Sequence, residues 1–209
     1  MTDLFEVDPE SRGGPPRAYH HLDRYLNDLA GDVYPQPPDP GHQALIEDLV
    51  SNWLTGLGGV DSILDVGCGQ GQAMDLLLSI TPEVIGVTLG DDVAECAKRG
   101  LRAYGNDMTF LPFEDGAFSL VFSRHSLEHS PMPLITLMEW HRVSSRYLLL
   151  VVPSVWSFGW GGRNHYYVLF PGQWRWLLKR SGWEVVRAED SKKGEEHRFL
   201  CTKTEPMKE

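Results

Sequence analysis

From residue 62 onward, short apolar runs alternate with segments whose apolar positions recur every three or four residues. The runs predict strands at Ser62–Val66, Val84–Thr88, Leu101–Tyr104, Ser119–Ser123 and Tyr147–Pro153. The periodic segments predict helices near Gln72–Ser79, Asp91–Lys98, Pro133–Val143 and Gly172–Arg180. Strands alternating with helices argue for a parallel sheet covered on both faces. The end of the chain reads differently. Trp183–Asp190 and His197–Thr204 flank a polar stretch, Ser191-Lys192-Lys193-Gly194-Glu195-Glu196, suited to an antiparallel hairpin.

The pattern before residue 59 is of another kind. Residues 1–16 carry Gly13-Gly14-Pro15-Pro16 and read as a flexible leader, and Leu22, Leu26 and Leu29 suggest a short helix over Tyr19–Leu29. The proline-dense stretch from Tyr34 to Gly41 reads as a linker without regular structure. Leu45, Ile46, Leu49, Val50, Trp53 and Leu54 then form one apolar helical stripe, closed by Gly56-Leu57-Gly58-Gly59. The expected division is therefore an appendage over 1–58 and one α/β domain over 59–209. Tyr19, His20, His21 and Tyr25 would lie over the site as a lid.

The most specific chemistry follows the first predicted strand. Ile63-Leu64-Asp65 leads into Val66-Gly67-Cys68-Gly69-Gln70-Gly71, a tight strand-to-helix turn in which missing Cβ atoms let a ligand lie on the backbone. Glycines at G-x-G-x-G do not fit the dinucleotide spacing G-x-G-x-x-G. The pattern resembles motif I of the class I S-adenosylmethionine-dependent methyltransferases. That resemblance implies S-adenosyl-L-methionine as cofactor and a Rossmann-like, doubly wound, mostly parallel seven-stranded sheet with a C-terminal antiparallel hairpin strand.

Further segments match the same family in order. Val84-Ile85-Gly86-Val87-Thr88 is the second strand, where the family usually ends on an acidic residue that accepts the ribose hydroxyls. Here Thr88 and Leu89 stand there, with Asp91 and Asp92 close behind. Gly105-Asn106-Asp107-Met108 resembles the loop that meets the adenine. Leu111-Pro112-Phe113-Glu114-Asp115-Gly116-Ala117-Phe118-Ser119-Leu120-Val121 resembles the family's L-P-F run, with Ser119 replacing an aspartate. The resemblance thus implies a cofactor site made of Asp65, Gly67, Cys68, Gly69, Gly71, Thr88, Leu89, Asp107, Met108, Ser123 and Arg124. Where L-x-P-G-G usually precedes the fifth strand, Ser144-Ser145-Arg146 requires a different turn.

Ser123-Arg124-His125-Ser126-Leu127-Glu128-His129 follows the fourth strand, at the sheet edge where open α/β folds bind ligands. Leu127-Glu128-His129 matches an L-E-H common in the family. His125, Glu128, His129 and the later His165 are the catalytic candidates, because an oxygen acceptor needs a proton acceptor near neutral pH. His125-x-x-Glu128-His129 also has the spacing of a zinc-peptidase helix, but Pro131 and Pro133 rule out that helix. Methyltransferases acting on the 2′-hydroxyl of small-RNA ends resemble this layout and hold a metal, which leaves metal binding by these four residues open. Aromatic residues between 154 and 170, among them Trp156, Trp160, Tyr166 and Tyr167, lie where the family places acceptor contacts. Trp174 and Trp183 read as core.

Composition narrows the partners. A net charge of −10 argues against broad binding to nucleic acid. Three cysteines without metal-type spacing suit a reducing compartment, and neither a signal peptide nor a membrane-spanning run is visible. The expected protein is a cytoplasmic methyltransferase acting on a small-molecule acceptor, without a membrane partner. Two alternatives stay open. One is a SAM-fold binding or scaffold subunit without turnover, to which Thr88 and Ser119 point. The other is a metal-assisted RNA 2′-O-methyltransferase.

Overall fold

A computed structural model describes residues 24, 40–156, 165–191 and 194–205. The predicted Tyr19–Leu29 helix (Arg24 apart), the lid residues and Trp160 lie outside the described residues. The first full element is α1, Pro40–Leu49, continued by a π-helical turn over Val50–Leu54. The expected linker therefore stops short of Pro40. Proline at the start of a helix forfeits only an N–H that would have no intrahelical partner. The Thr55 N–H closes the π turn on the Val50 carbonyl at 2.9 Å, and Val50, Trp53 and Leu54 are all buried.

Thereafter come β1 (Ile63–Val66), α2 (Gln72–Leu77), β2 (Val84–Thr88), α3 (Asp92–Lys98), β3 (Ala103–Gly105) and β4 (Phe118–Arg124). They are followed by α4 (Pro133–Val143), β5 (Ser144–Pro153), α5 (Pro171–Arg180), β6 (Trp183–Asp190) and β7 (Glu196–Lys203). The seven strands form one sheet in the order β3-β2-β1-β4-β5-β7-β6, with β1 to β5 parallel and β7 antiparallel to both its neighbours. Among the described residues no helix is long and apolar enough to cross a membrane.

Side-chain parity along the strands builds two cores. On β5, Leu148, Leu150 and Val152 join Trp140, Trp174 and Trp183 on one face. Leu149 and Val151 join Ile46, Leu49, Trp53, Met74 and Leu77 on the other. Burial on both faces is why β5 reads as an unbroken apolar run. Trp174 and Trp183 are core, as expected, whereas Trp156 is 77% exposed. Residues of α1 share a core with the sheet, and Arg198 of β7 is bonded to Asp48 at 2.5 Å.

Two of the three departures from the family pattern, at Ser119 and at Ser144, have structural explanations. Ser119 Oγ accepts the N–H groups of Asp61 and Ser62 at 2.9 Å each and donates to the Ser62 carbonyl at 2.8 Å, fastening the entry to β1 onto β4. Ser144 leads directly from α4 into β5. Its hydroxyl accepts the Arg146 N–H at 3.1 Å and donates to the Tyr147 carbonyl at 3.0 Å, so a serine turn replaces the glycine one.

Candidate functional site

The sheet order reverses between β1 and β4. Successive strands run outward from β1 to β3 and then continue on the opposite side of β1 with β4. A crevice at such a reversal, at the carboxyl ends of the strands, is where open α/β sheets take ligands. The glycine turn after β1, the loops after β2 and β3, and the segment after β4 all end there.

Within the turn the three glycines do different things. All have positive φ, +78° at Gly67, +53° at Gly69 and +81° at Gly71. A Cβ on Gly67 would lie 1.9 Å from Ser126 Oγ and 2.5 Å from Ser126 Cβ, and one on Gly71 would lie 2.4 Å from Leu101 Cδ1. A Cβ on Gly69 would meet only Asp92 Oδ2, at 3.8 Å. Gly67 and Gly71 therefore serve the close packing of the turn, and Gly69 presents bare backbone to open space.

Much of the turn's hydrogen bonding is internal. The N–H groups of Gly67 and Cys68 both donate to the Val87 carbonyl, at 2.8 and 3.0 Å, and that of Gly71 donates to the Cys68 carbonyl at 2.9 Å. The Cys68 side chain is buried beneath the turn, and the Cys68 and Cys96 thiols converge on the Gly69 carbonyl at 3.5 and 3.3 Å. The hydrogen bond between the two thiols pushes Cys68 up and Cys96 down in pKa. Arg99 bonds the Gln70 carbonyl and Asp75, holding the turn from outside. Cys68, expected at the cofactor, thus has its N–H and its thiol engaged within the fold. Helix α2 has only six residues, so its dipole adds less than a full-length helix would.

Asp65 is 2% exposed, and among the described residues its Oδ2 has no hydrogen-bond partner. Burial, aided by repulsion from Cys96, pushes its pKa up to about 8. Asp92 is held above the usual carboxylate range by burial, against an opposing hydrogen bond from Gln70. It is the acidic group beside Gly69, whereas Thr88 is buried at the end of β2. Leu89 and Met108 are half-buried, and Asp107 is buried in the loop after β3.

That loop is braced from two sides. Asn106 donates from its side chain to the carbonyls of Asp107 and Phe110 at 2.8 and 2.7 Å, and Trp140 Nε1 donates to the Met108 carbonyl at 2.9 Å. Arg142 donates to the carbonyls of Phe113 and Leu111, and Glu139 accepts the Leu111 N–H at 2.7 Å. Sequence reasoning missed these α4 residues as supports of the Leu111–Asp115 run, because only the fold brings positions some thirty residues apart together.

The segment after β4 separates its four polar candidates. Arg124 lies within the strand, and its guanidinium is bonded to Glu196 on β7, with Nε to Oε1 at 2.8 Å. His125 stands at φ +52°, a left-handed conformation rare outside glycine, with Nε2 3.0 Å from the same carboxylate oxygen. Burial lowers the His125 pKa, against the pull of Glu196. Arg124 and His125, expected at the cofactor and in catalysis, are thus tied into an ion network that also holds Arg198. Glu196, the centre of that network, had read only as part of a polar turn. Ser123 Oγ is buried without a partner.

Glu128, His129 and His165 converge instead. A short 3-10 turn covers Leu127–His129, and the Glu128 carbonyl accepts the N–H groups of Tyr166 and Tyr167 at 2.8 and 3.2 Å, which seats His165 beside it. The His129 and His165 rings meet edge to face with centroids 4.7 Å apart. Burial raises the Glu128 pKa to about 8.

Comparison with known proteins agrees with this fold. Residues 64–147 match the family described as "Methyltransferase domain". The demethylmenaquinone methyltransferase of Lactococcus lactis subsp. lactis (strain IL1403) is 38% identical over 102 residues, 43% of this chain and 38% of the relative's length. The magnesium protoporphyrin IX methyltransferase of Synechocystis PCC 6803, solved with bound SAH, superposes with a TM-score of 0.67 at 16% identity, covering 89% of this chain and all of that one. A SAM-dependent methyltransferase from Archaeoglobus fulgidus gives 0.62 at 16% identity, over 77% and 94% of the two chains. The [4+2]-cyclase SpnF gives 0.64 at 18%, over 92% and 95%. At such identities the solved structures speak for the fold, and the sequence match speaks for the family. Residues 64–147 thus match the methyltransferase domain in sequence, and the described fold is that of solved SAM-dependent methyltransferases.

Proposed function

We propose that the protein binds S-adenosyl-L-methionine at the glycine turn and transfers its methyl group to a small-molecule acceptor. The observation that carries this reading is the pairing of an orphaned, buried Asp65 carboxylate oxygen with the bare backbone of Gly69 at the reversal of the sheet. An unsatisfied buried carboxylate costs stability unless a ligand supplies its donors. The residues present fit the cofactor. Asp65 suits its amino-acid end, Thr88 and Asp92 its ribose, and Asp107 with half-buried Leu89 and Met108 its adenine. When bound, the cofactor supplies a methyl group already activated on a sulfonium, so the protein's task is to position the acceptor. Glu128, His129 and His165, grouped beyond β4, are the polar side chains assigned to that task.

Calorimetry with S-adenosylhomocysteine tests the cofactor half. Binding weakened by Asp65→Ala and by Gly69→Val supports it, and no binding up to millimolar concentration refutes it. The superposition on a [4+2]-cyclase favours one second reading, a SAM-fold protein that holds cofactor without transferring methyl. Cofactor binding, with no S-adenosylhomocysteine released against a panel of hydroxyl, amine and thiol acceptors, would select it.

A further inference from the structure

We propose that Glu128, His129 and His165 form a binding site for one divalent first-row transition-metal ion. One donor atom from each of the three lies within 4.8 Å of the others, and Glu128 Oε1 is already 3.9 Å from His129 Nε2. Two ligands at about 2.0–2.2 Å from a shared ion stand at most about 4.4 Å apart, so only a small closure is required.

The second observation is the state of the carboxylate. Glu128 is buried, and among the described residues neither of its side-chain oxygens has a hydrogen-bond partner. A buried carboxyl without a partner gains one when its oxygens ligate a cation. Among the described residues Arg124 is a positive charge acting on Glu128, and its guanidinium is already bonded to Glu196. The two imidazoles beside Glu128 offer nitrogen donors suited to a metal.

The donor set decides the class of ion. One carboxylate oxygen and two imidazole nitrogens suit zinc, manganese, iron or cobalt, whereas calcium and magnesium prefer oxygen alone. Three protein ligands leave coordination positions open for water or an incoming group. His165 is half-buried and His129 is 14% exposed at its side chain, so the open positions lie on the imidazole side. An acceptor oxygen, from a hydroxyl or phenol, would take one of them. That last step rests on the methyl-transfer reading, but metal binding itself does not.

The test uses the full chain, stripped with a chelator and titrated with zinc chloride, with cobalt(II) as a spectroscopic probe. The expected result is one equivalent of zinc per chain and cobalt bands typical of nitrogen and oxygen ligands. Glu128→Gln and His165→Ala should each lower zinc affinity by more than the roughly 10–100-fold that loss of a supporting residue costs. Wild-type protein that binds no zinc, or variants that bind it as tightly as wild type, would overturn the proposal. His165→Ala changes a half-buried position and keeps the test valid if Glu128→Gln fails to fold. S-adenosylhomocysteine calorimetry on the same samples separates the two readings. Retained cofactor binding without zinc binding rejects the metal alone, and zinc binding without cofactor binding rejects the methyl-transfer reading alone.

Discussion

Gly67→Ala and Gly69→Ala make a matched pair, because the same methyl group is added two residues apart in one turn. At Gly67 the new Cβ would sit 2.5 Å from Ser126 Cβ, an atom bonded directly to the backbone, so main chain has to move. Overpacking of this kind costs about 1–3 kcal/mol. A left-handed residue with a Cβ adds about 1–2 kcal/mol. For a domain of this size each kcal/mol lowers Tm by about 2–4 °C, so Gly67→Ala should lose roughly 4–20 °C. At Gly69 only the left-handed cost applies, and the expected loss is roughly 2–8 °C. Affinity should follow the opposite order among folded molecules. The methyl group on Gly69 occupies the space through which a ligand meets bare backbone, and S-adenosylhomocysteine should bind at least about tenfold more weakly, some 1.4 kcal/mol. Thermal unfolding of the apo proteins and calorimetry on the same samples measure both quantities. If Gly69→Ala left affinity unchanged, or lost as much Tm as Gly67→Ala, the division of labour within the turn would be wrong.

Asp65 sets a pH dependence of defined sign. Its folded pKa is raised to about 8, above the unfolded value near 4, so apo stability should fall as pH rises from about 4 to 8 and level off beyond. Asp65→Asn should flatten that slope in urea titrations while weakening S-adenosylhomocysteine binding. Trp140→Phe removes the bond to the Met108 carbonyl, and should cost about 1–2 kcal/mol in chemical denaturation and loosen the cofactor's adenine. Ser119→Ala breaks the fastening of β1 to β4, and should cost about 2–3 kcal/mol with S-adenosylhomocysteine affinity unchanged.

Local chemistry was readable in the sequence because it is local. The glycine turn, the apolar runs of β1, β2 and β5 and the terminal hairpin depend on neighbouring residues, and they lie where the sequence puts them to within a few positions. Pairings across the fold were not readable. Glu196, His197 and Arg198 look like a solvated strand end, yet they are almost wholly buried, with partners 72 and 150 residues away. The same holds for the site. Asp65 and Gly69 follow from the motif, whereas the removal of Arg124 and His125 into the Glu196 network depends on β7 lying beside β5. The convergence of His165 on Glu128 depends on backbone bonds from Tyr166 and Tyr167, which no spacing rule announces.

The antiparallel end of the sheet imposes an order on synthesis. Among the described residues β6 pairs only with β7, and β7 is the strand that joins it to β5. On the ribosome, β1 to β5 and their helices emerge and can pair while β6 still has no neighbour. The exposed edge of β5 stays open for the same interval. Emergence of Glu196–Lys203 fills that gap, and in one step supplies Arg124 and His125 with their carboxylate and α1 with Arg198. Strand β7, made after the six other strands of this sheet, is therefore the one that sets the loop beside the crevice at the sheet's reversal.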